Sequence, residues 1–197
     1  MDQDIPYIDP RHTVLLVMDY QSGILSSLPN TNELLAKMKN TIVLARQTGI
    51  QIGYVRVAFS DTDYQNIPKN NKSFSALAEN RQMDSEAPET QVHTEVAPEA
   101  NDIIVRKTRV GAFSTTDLAQ QLQDKDIDTL ILAGVATSGV VLSTLRDAAD
   151  HDYRLYVLED LCADRDPEVH TVLTSKVFPR QAFVITSSEL PHLLESK

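Results

Sequence analysis

The stretch "TLILAGVATSGVVLSTLRDAADHDYRLYVLED" (Thr129–Asp160) decides the fold. It opens on "TLILAG" (Thr129–Gly134), apolar at every position from Leu130 to Ala133. A strand without polar alternation is one buried on both faces. Small residues follow, and "SGVVLSTLRDAADHD" (Ser138–Asp152) then reads as a helix with Ser138 at its N-cap. "YRLYVLED" (Tyr153–Asp160) is apolar and strand-like again. Strand, tight turn, helix and strand in about thirty residues form the unit that builds a parallel sheet.

The same alternation continues on both sides. "TVLLVMD" (Thr13–Asp19) is an apolar run ending in a carboxylate. "NELLAKMKNTIVLARQTG" (Asn32–Gly49) places apolar residues at 34, 35, 38, 42, 43 and 45, close to a helical stripe, and stops at a glycine suited to a C-cap. "IQIGYVRVAF" (Ile50–Phe59) and "DIIVRK" (Asp102–Lys107) are strand-like, and "TTDLAQQLQDKD" (Thr115–Asp126) is an amphipathic helix. "DPEVHTVLTSKVF" (Asp166–Phe178) is a helix capped by Asp166 with Pro167 in its first turn, and "QAFVITSSEL" (Gln181–Leu190) supplies a sixth strand and a last helix. The polar region 60–100, with Pro68, Pro88 and Pro98, offers only a short helix in "SFSALAENRQ" (Ser73–Gln82). The expected fold is α/β: one three-layer α/β/α domain spanning residues 1–197, with a six-stranded, mostly parallel sheet in the Rossmann-like order 3-2-1-4-5-6.

Composition excludes several function classes. A formal charge of −10 lacks the basic face that non-specific nucleic-acid binding needs. No apolar run is long enough for a bilayer and the lead-in "MDQDIPYIDPRH" has no signal-peptide pattern, so the chain reads as cytoplasmic, with no membrane partner. The single cysteine, Cys162, excludes an internal disulfide. His12, His93, His151, His170 and His192 show no metal-ligand spacing, and Gly134 and Gly139 make no dinucleotide fingerprint, so neither metal nor cofactor is expected.

In a sheet of this order, ligands bind beyond the carboxyl ends of the strands, where the order reverses between strands 1 and 4. Asp19 and Gln21 stand at the end of the first strand, Arg106, Lys107 and Arg109 at the end of the third, and "GVATSGV" (Gly134–Val140) at the end of the fourth. Each has a bland alternative: Asp19 as a turn cap, the cations as a solvated cluster.

With these positions in view, the chain resembles the isochorismatase-like hydrolases, also called the cysteine hydrolase family, over nearly its whole length. "LLVMDYQSGIL" (Leu15–Leu25) resembles the family's first motif, "VRKTRVGAFSTTDLAQQL" (Val105–Leu122) its second, and "LAGVATSGVVLSTLRDAADHDYRLYVLEDLCAD" (Leu132–Asp164) its third. The resemblance implies an acid/base role for Asp19 and a catalytic role for Lys107. It also implies a cis-peptide turn at Val135–Ala136. Thr144, Asp147 and Ala148 match the helix that follows. The reactive cysteine of the family falls on Val140, which cannot ionise or attack a carbonyl. Neither Ser138 nor Cys162 replaces it by spacing. "FSDTDYQN" (Phe59–Asn66) lacks the histidine that zinc-binding members carry. Substrate contacts are expected from Gln21, Phe59, Arg109, Phe113, Val135, Ala136, Thr137 and Gly139, with Phe74 a further aromatic of the 60–100 region.

Three readings follow. The first is hydrolysis of a small, anionic metabolite through Asp19 and Lys107 without a thioester. The second is a catalytically degenerate member that binds a small ligand or serves in an assembly. The third is cleavage of the vinyl ether of isochorismate, with Asp19 as proton donor, Lys107 and Arg109 on a carboxylate, and backbone N–H groups at the start of the 138–152 helix on a second anion. The resemblance also implies a homodimer or homotetramer.

Overall fold

The computed structural model describes residues 5–194. Its elements run β1 (Thr13–Met18), α1 (Ser22–Leu25), α2 (Thr31–Thr48), β2 (Gln51–Val57), α3 (Asp61–Asn66), α4 (Ser75–Glu79), β3 (Ile103–Lys107), α5 (Leu118–Gln123), β4 (Thr129–Val135), α6 (Leu142–Asp150), β5 (Arg154–Ala163), α7 (Pro167–Val172), β6 (Phe183–Ile185) and α8 (Leu190–Leu193). The six strands form one sheet in the order β3-β2-β1-β4-β5-β6, and every pairing is parallel.

Successive side chains of a strand point to opposite faces, so a strand buried on both faces feeds two cores. In β1, Val14, Leu16 and Met18 enter one core with α5 and α6, through Leu118, Leu122, Leu145 and Ala148. Leu15 and Val17 enter the other with α2, through Leu35, Met38, Ile42 and Ala45. β4 divides in the same way, Leu130 and Leu132 to the first core, Ile131 and Ala133 to the second. That is the three-layer arrangement expected from the continuous apolar runs.

A third, smaller cluster gathers Val57, Phe59, Tyr64, Ile67 and Phe74 beyond the end of β2. The Phe59 ring lies 5.7 Å from both Tyr64 and Phe74. This cluster organises the region 60–100, which holds a helix the sequence reading missed. α3 begins with a capping box, in which the Ser60 hydroxyl accepts from the Asp63 N–H and the Asp63 carboxylate accepts from the Ser60 N–H.

Three helix boundaries differ from expectation: α7, read as running to Phe178, is α-helical only over Pro167–Val172 and continues as a π-type segment over Leu173–Val177. α5 forms only over Leu118–Gln123, after a turn in which the Thr116 hydroxyl donates to Ala112 O and accepts from Leu118 N–H. Ser138 is not an N-cap. Thr137–Val141 is a wide π-type turn leading into α6, and the Ser138 N–H donates to the Asp164 carboxylate, 2.8 Å away. The cap of α7 is as read: Asp166 accepts from the N–H groups of Glu168 and Val169, and Pro167 fills the first turn. Among the described residues, no helix is long and apolar enough to cross a membrane.

Candidate active site

β1 ends at Met18, and Asp19 turns the chain with a positive φ of 57°. Aspartate is among the few side chains that tolerate this left-handed region. Its N–H donates to Val55 O at 2.8 Å, so the reversal is anchored on β2. The Asp19 carboxyl is left beyond the sheet edge, only 5% exposed. From β3, two strands away, the Lys107 ammonium (2% exposed) reaches it at 2.9 Å. Lys107 also donates to Arg109 O at 3.2 Å. The other carboxyl oxygen, Asp19 Oδ1, has no hydrogen-bond partner among the described residues.

Burial penalises the charged carboxylate more than the Lys107 ammonium stabilises it, and the Asp19 pKa is pushed up to about 6. Asp19 therefore holds a proton in a range where an ordinary carboxyl has lost it.

The pair opens onto a cavity of about 380 Å³. Val135, Ala136, Gly139 and Val140 form one wall, and Phe74, Val110 and Leu28 contribute apolar surface. The Val135–Ala136 peptide is cis. Gly134 lets this turn approach β1, since a Cβ there would lie 3.0 Å from both Met18 Cβ and Met18 O. The π-type turn widens the start of the helix and delivers Val140 to the cavity beside Asp19 and Lys107; such turns recur at functional sites.

The remaining residues expected to contact substrate divide by position. Gln21 is fully buried and ties the ends of β1 and β2 to the following loop: its Nε2 donates to Val57 O and Thr90 O, and its Oε1 accepts from Val57 N–H. Phe59 sits within the aromatic cluster, behind Phe74, which lines the cavity. Phe113 packs against His151 and Tyr153, off the wall. The Thr137 hydroxyl is 2.8 Å from His170 Nδ1, directed into α7. The Arg109 guanidinium folds back on Thr108 O at 2.6 Å, and its contribution to the site is the carbonyl that holds Lys107.

Sequence reasoning did not reach Asp164 and Arg165, from the loop after β5, which also line the cavity. Partial burial raises the Asp164 pKa, but hydrogen bonds from Ser138, Asp166 and Arg165 outweigh it and hold the carboxyl below its usual range. Its negative charge takes the Ser138 N–H, which is therefore engaged within the protein. Cys162 pairs with Gly134 in the sheet, is buried, and has its thiol pushed up to about 12 by that burial. It lies off the cavity wall.

Fold and crevice together define a three-layer α/β/α protein with an acid–lysine pair at the switch point of a parallel sheet. The chain belongs to the isochorismatase family: the isochorismatase domain model matches residues 13–189. It is 30% identical over 192 residues to the uncharacterized isochorismatase family protein YecD of Escherichia coli O157:H7, covering 95% of this chain and 98% of that one. It is 30% identical over 186 residues to a probable isochorismatase of Pseudomonas chlororaphis, covering 93% and 86%. An isochorismatase family protein from Burkholderia thailandensis superposes with a TM-score of 0.83 at 24% identity, over 98% of this chain and 100% of that one, a likeness of fold.

Proposed function

We propose that this protein is a hydrolase of a small, anionic metabolite that works by proton transfer from Asp19, without a thioester. The observation that carries this reading is the buried Asp19–Lys107 pair beside Val140, with one carboxyl oxygen unpartnered and the proton affinity of the acid raised. Among the described residues the wall carries no thiol: Val140, at the position of the family nucleophile, has no reactive atom, and the Cys162 thiol is elsewhere and held protonated.

The bond class that needs a proton donor and water, but no enzyme nucleophile, is the vinyl ether. Asp19 gives its proton to the terminal alkene carbon, and the alkene electron pair becomes the new C–H bond. The resulting oxocarbenium centre is captured by water, whose released proton returns to Asp19. The hemiketal then collapses to an alcohol and a carbonyl compound. Lys107 holds the Asp19 carboxylate while it is without its proton. Similarity to a probable isochorismatase supports this bond class. Family membership supports the hydrolase reading more broadly, and a homo-oligomer belongs to the same proposal.

A second reading, ligand binding without turnover, has Val140 in its favour. A panel of amides, carbamoyl compounds and vinyl ethers, run on wild type, Asp19→Asn and Val140→Cys, separates the two. The expected result is wild-type turnover confined to the vinyl ethers and lost in Asp19→Asn. Silence of the wild type with amidase activity gained by Val140→Cys supports the binding reading. Wild-type amide turnover overturns the proton-transfer proposal.

A further inference from the structure

The cavity wall carries four charged side chains: Asp19, Lys107, Asp164 and Arg165. Three are already matched. Lys107 and Asp19 face each other at 2.9 Å, and Asp164 accepts from the Ser138 N–H at 2.8 Å. Arg165 is different. It is exposed at the mouth, and among the described residues its guanidinium has no carboxylate within salt-bridge reach. Its one side-chain hydrogen bond among the described residues is a long one of 3.3 Å, from Nε to the hydroxyl of Ser27, which also lines the cavity. Among the described residues, the paired Nη donors that make arginine a bidentate partner for carboxylates have no protein acceptor.

Arg165 also borders a second cavity of about 480 Å³, which shares Ile24 with the first. That outer basin is lined by Asp84 and Glu89, and its other cation, Arg81, is bonded to Asp61 and stacked 4.9 Å over Tyr64. An anion therefore meets like charge beyond Arg165 and a neutralised ion pair below it. Arg165, between the two, is the cation left for it.

We infer that Arg165 is the specificity-determining residue of this site, holding a substrate carboxylate at the cavity mouth while the apolar body of the substrate reaches down toward Asp19. This rests on the reading of the Asp19 cavity as the ligand site. It names the anionic group of the substrate as a carboxylate and assigns the residue that selects it. A charge-assisted, two-point contact of this kind corresponds to about a tenfold or greater preference for a charged ligand over its neutral isostere.

The test uses benzoate and benzamide, which share a shape and differ in charge. Binding to the intact protein is measured by isothermal titration calorimetry in wild type, Arg165→Gln and Arg165→Lys. The expected result is that wild type binds benzoate about tenfold or more tightly than benzamide, that Arg165→Gln brings the two within about twofold, and that Arg165→Lys restores part of the preference. Equal binding of both probes by wild type overturns the inference, and so does failure to bind benzoate at all. A preference that survives in Arg165→Gln assigns the carboxylate to Lys107 and overturns it equally. Because the measurement needs no turnover, a protein that hydrolyses nothing can still pass it, and its failure is distinguishable from failure of the proton-transfer proposal. Once a turned-over carboxylate substrate is in hand, Arg165→Gln raises KM with little change in kcat, as loss of uniform binding does.

Discussion

Asp19 combines three properties that rarely meet in one residue: a left-handed backbone, nearly complete burial and an unpartnered oxygen. As a proton donor it is active while protonated, so kcat/KM of the wild type is expected to be level in acid and to fall as pH rises through about 6. A rising limb there, checked by a pH–rate profile, contradicts the donor role. The same proton is linked to stability. The folded pKa lies above the ordinary value of 3.8, so this carboxyl favours the fold below that pH and the contribution is lost as pH rises through about 6. Asp19→Asn keeps the shape and tolerates the positive φ, so loss of activity in it reports chemistry, not backbone. Gly134 makes a different residue-scale prediction. A methyl group there meets Met18 and the Val141 side chain at 3.0–3.1 Å, so Gly134→Ala is expected to cost about 1–3 kcal/mol in urea denaturation.

At the scale of elements, the turn between β4 and α6 is held from outside by Asp164. Asp164→Ala removes the acceptor for the Ser138 N–H and is expected to cost about 0.5–2 kcal/mol, as loss of a cap does, with Asp164→Asn recovering most of it in thermal unfolding. This is also where legibility in the sequence ends. The strands were legible because each carries a run of apolar and β-branched residues, uninterrupted in β1 and broken by Arg56 in β2, and Asp19 and Lys107 because each stands where such a run ends. The turn was legible as small residues between strand and helix. Ser138 was misread because serine before a helix has the composition of a cap, while its N–H is satisfied by a carboxylate 26 residues away. α3 was missed because its capping box uses aspartate where glutamate or glutamine is the recognised signal. Arg165 gave no local signal. It becomes a site residue only because the loop after β5 reaches Ser27, 138 residues earlier in the chain.

On the scale of the whole molecule, one sheet is shared by two cores, and each central strand contributes to both. Neither core can be lost while the other keeps its strands. We therefore expect a single cooperative transition, as for one domain, with far-ultraviolet circular dichroism and the near-ultraviolet signal of buried tyrosines such as Tyr20 and Tyr54 melting together. Two separated transitions argue against the single-domain reading. The sheet also brings the acid and the lysine together from strands separated by β2, so the Asp19–Lys107 pair exists only when β1, β2 and β3 have docked in register.

Cys162 is the chain's only cysteine, and the sheet keeps its thiol buried and protonated. The native protein is therefore expected to be silent toward maleimide dyes. Val140→Cys would set one addressable sulfur on the cavity wall, against a background that needs no prior removal of other thiols. Labelling stoichiometry would then count open pockets molecule by molecule. A ligand seated under Arg165 would register as protection from the dye, turning a position without chemistry of its own into a reporter of occupancy.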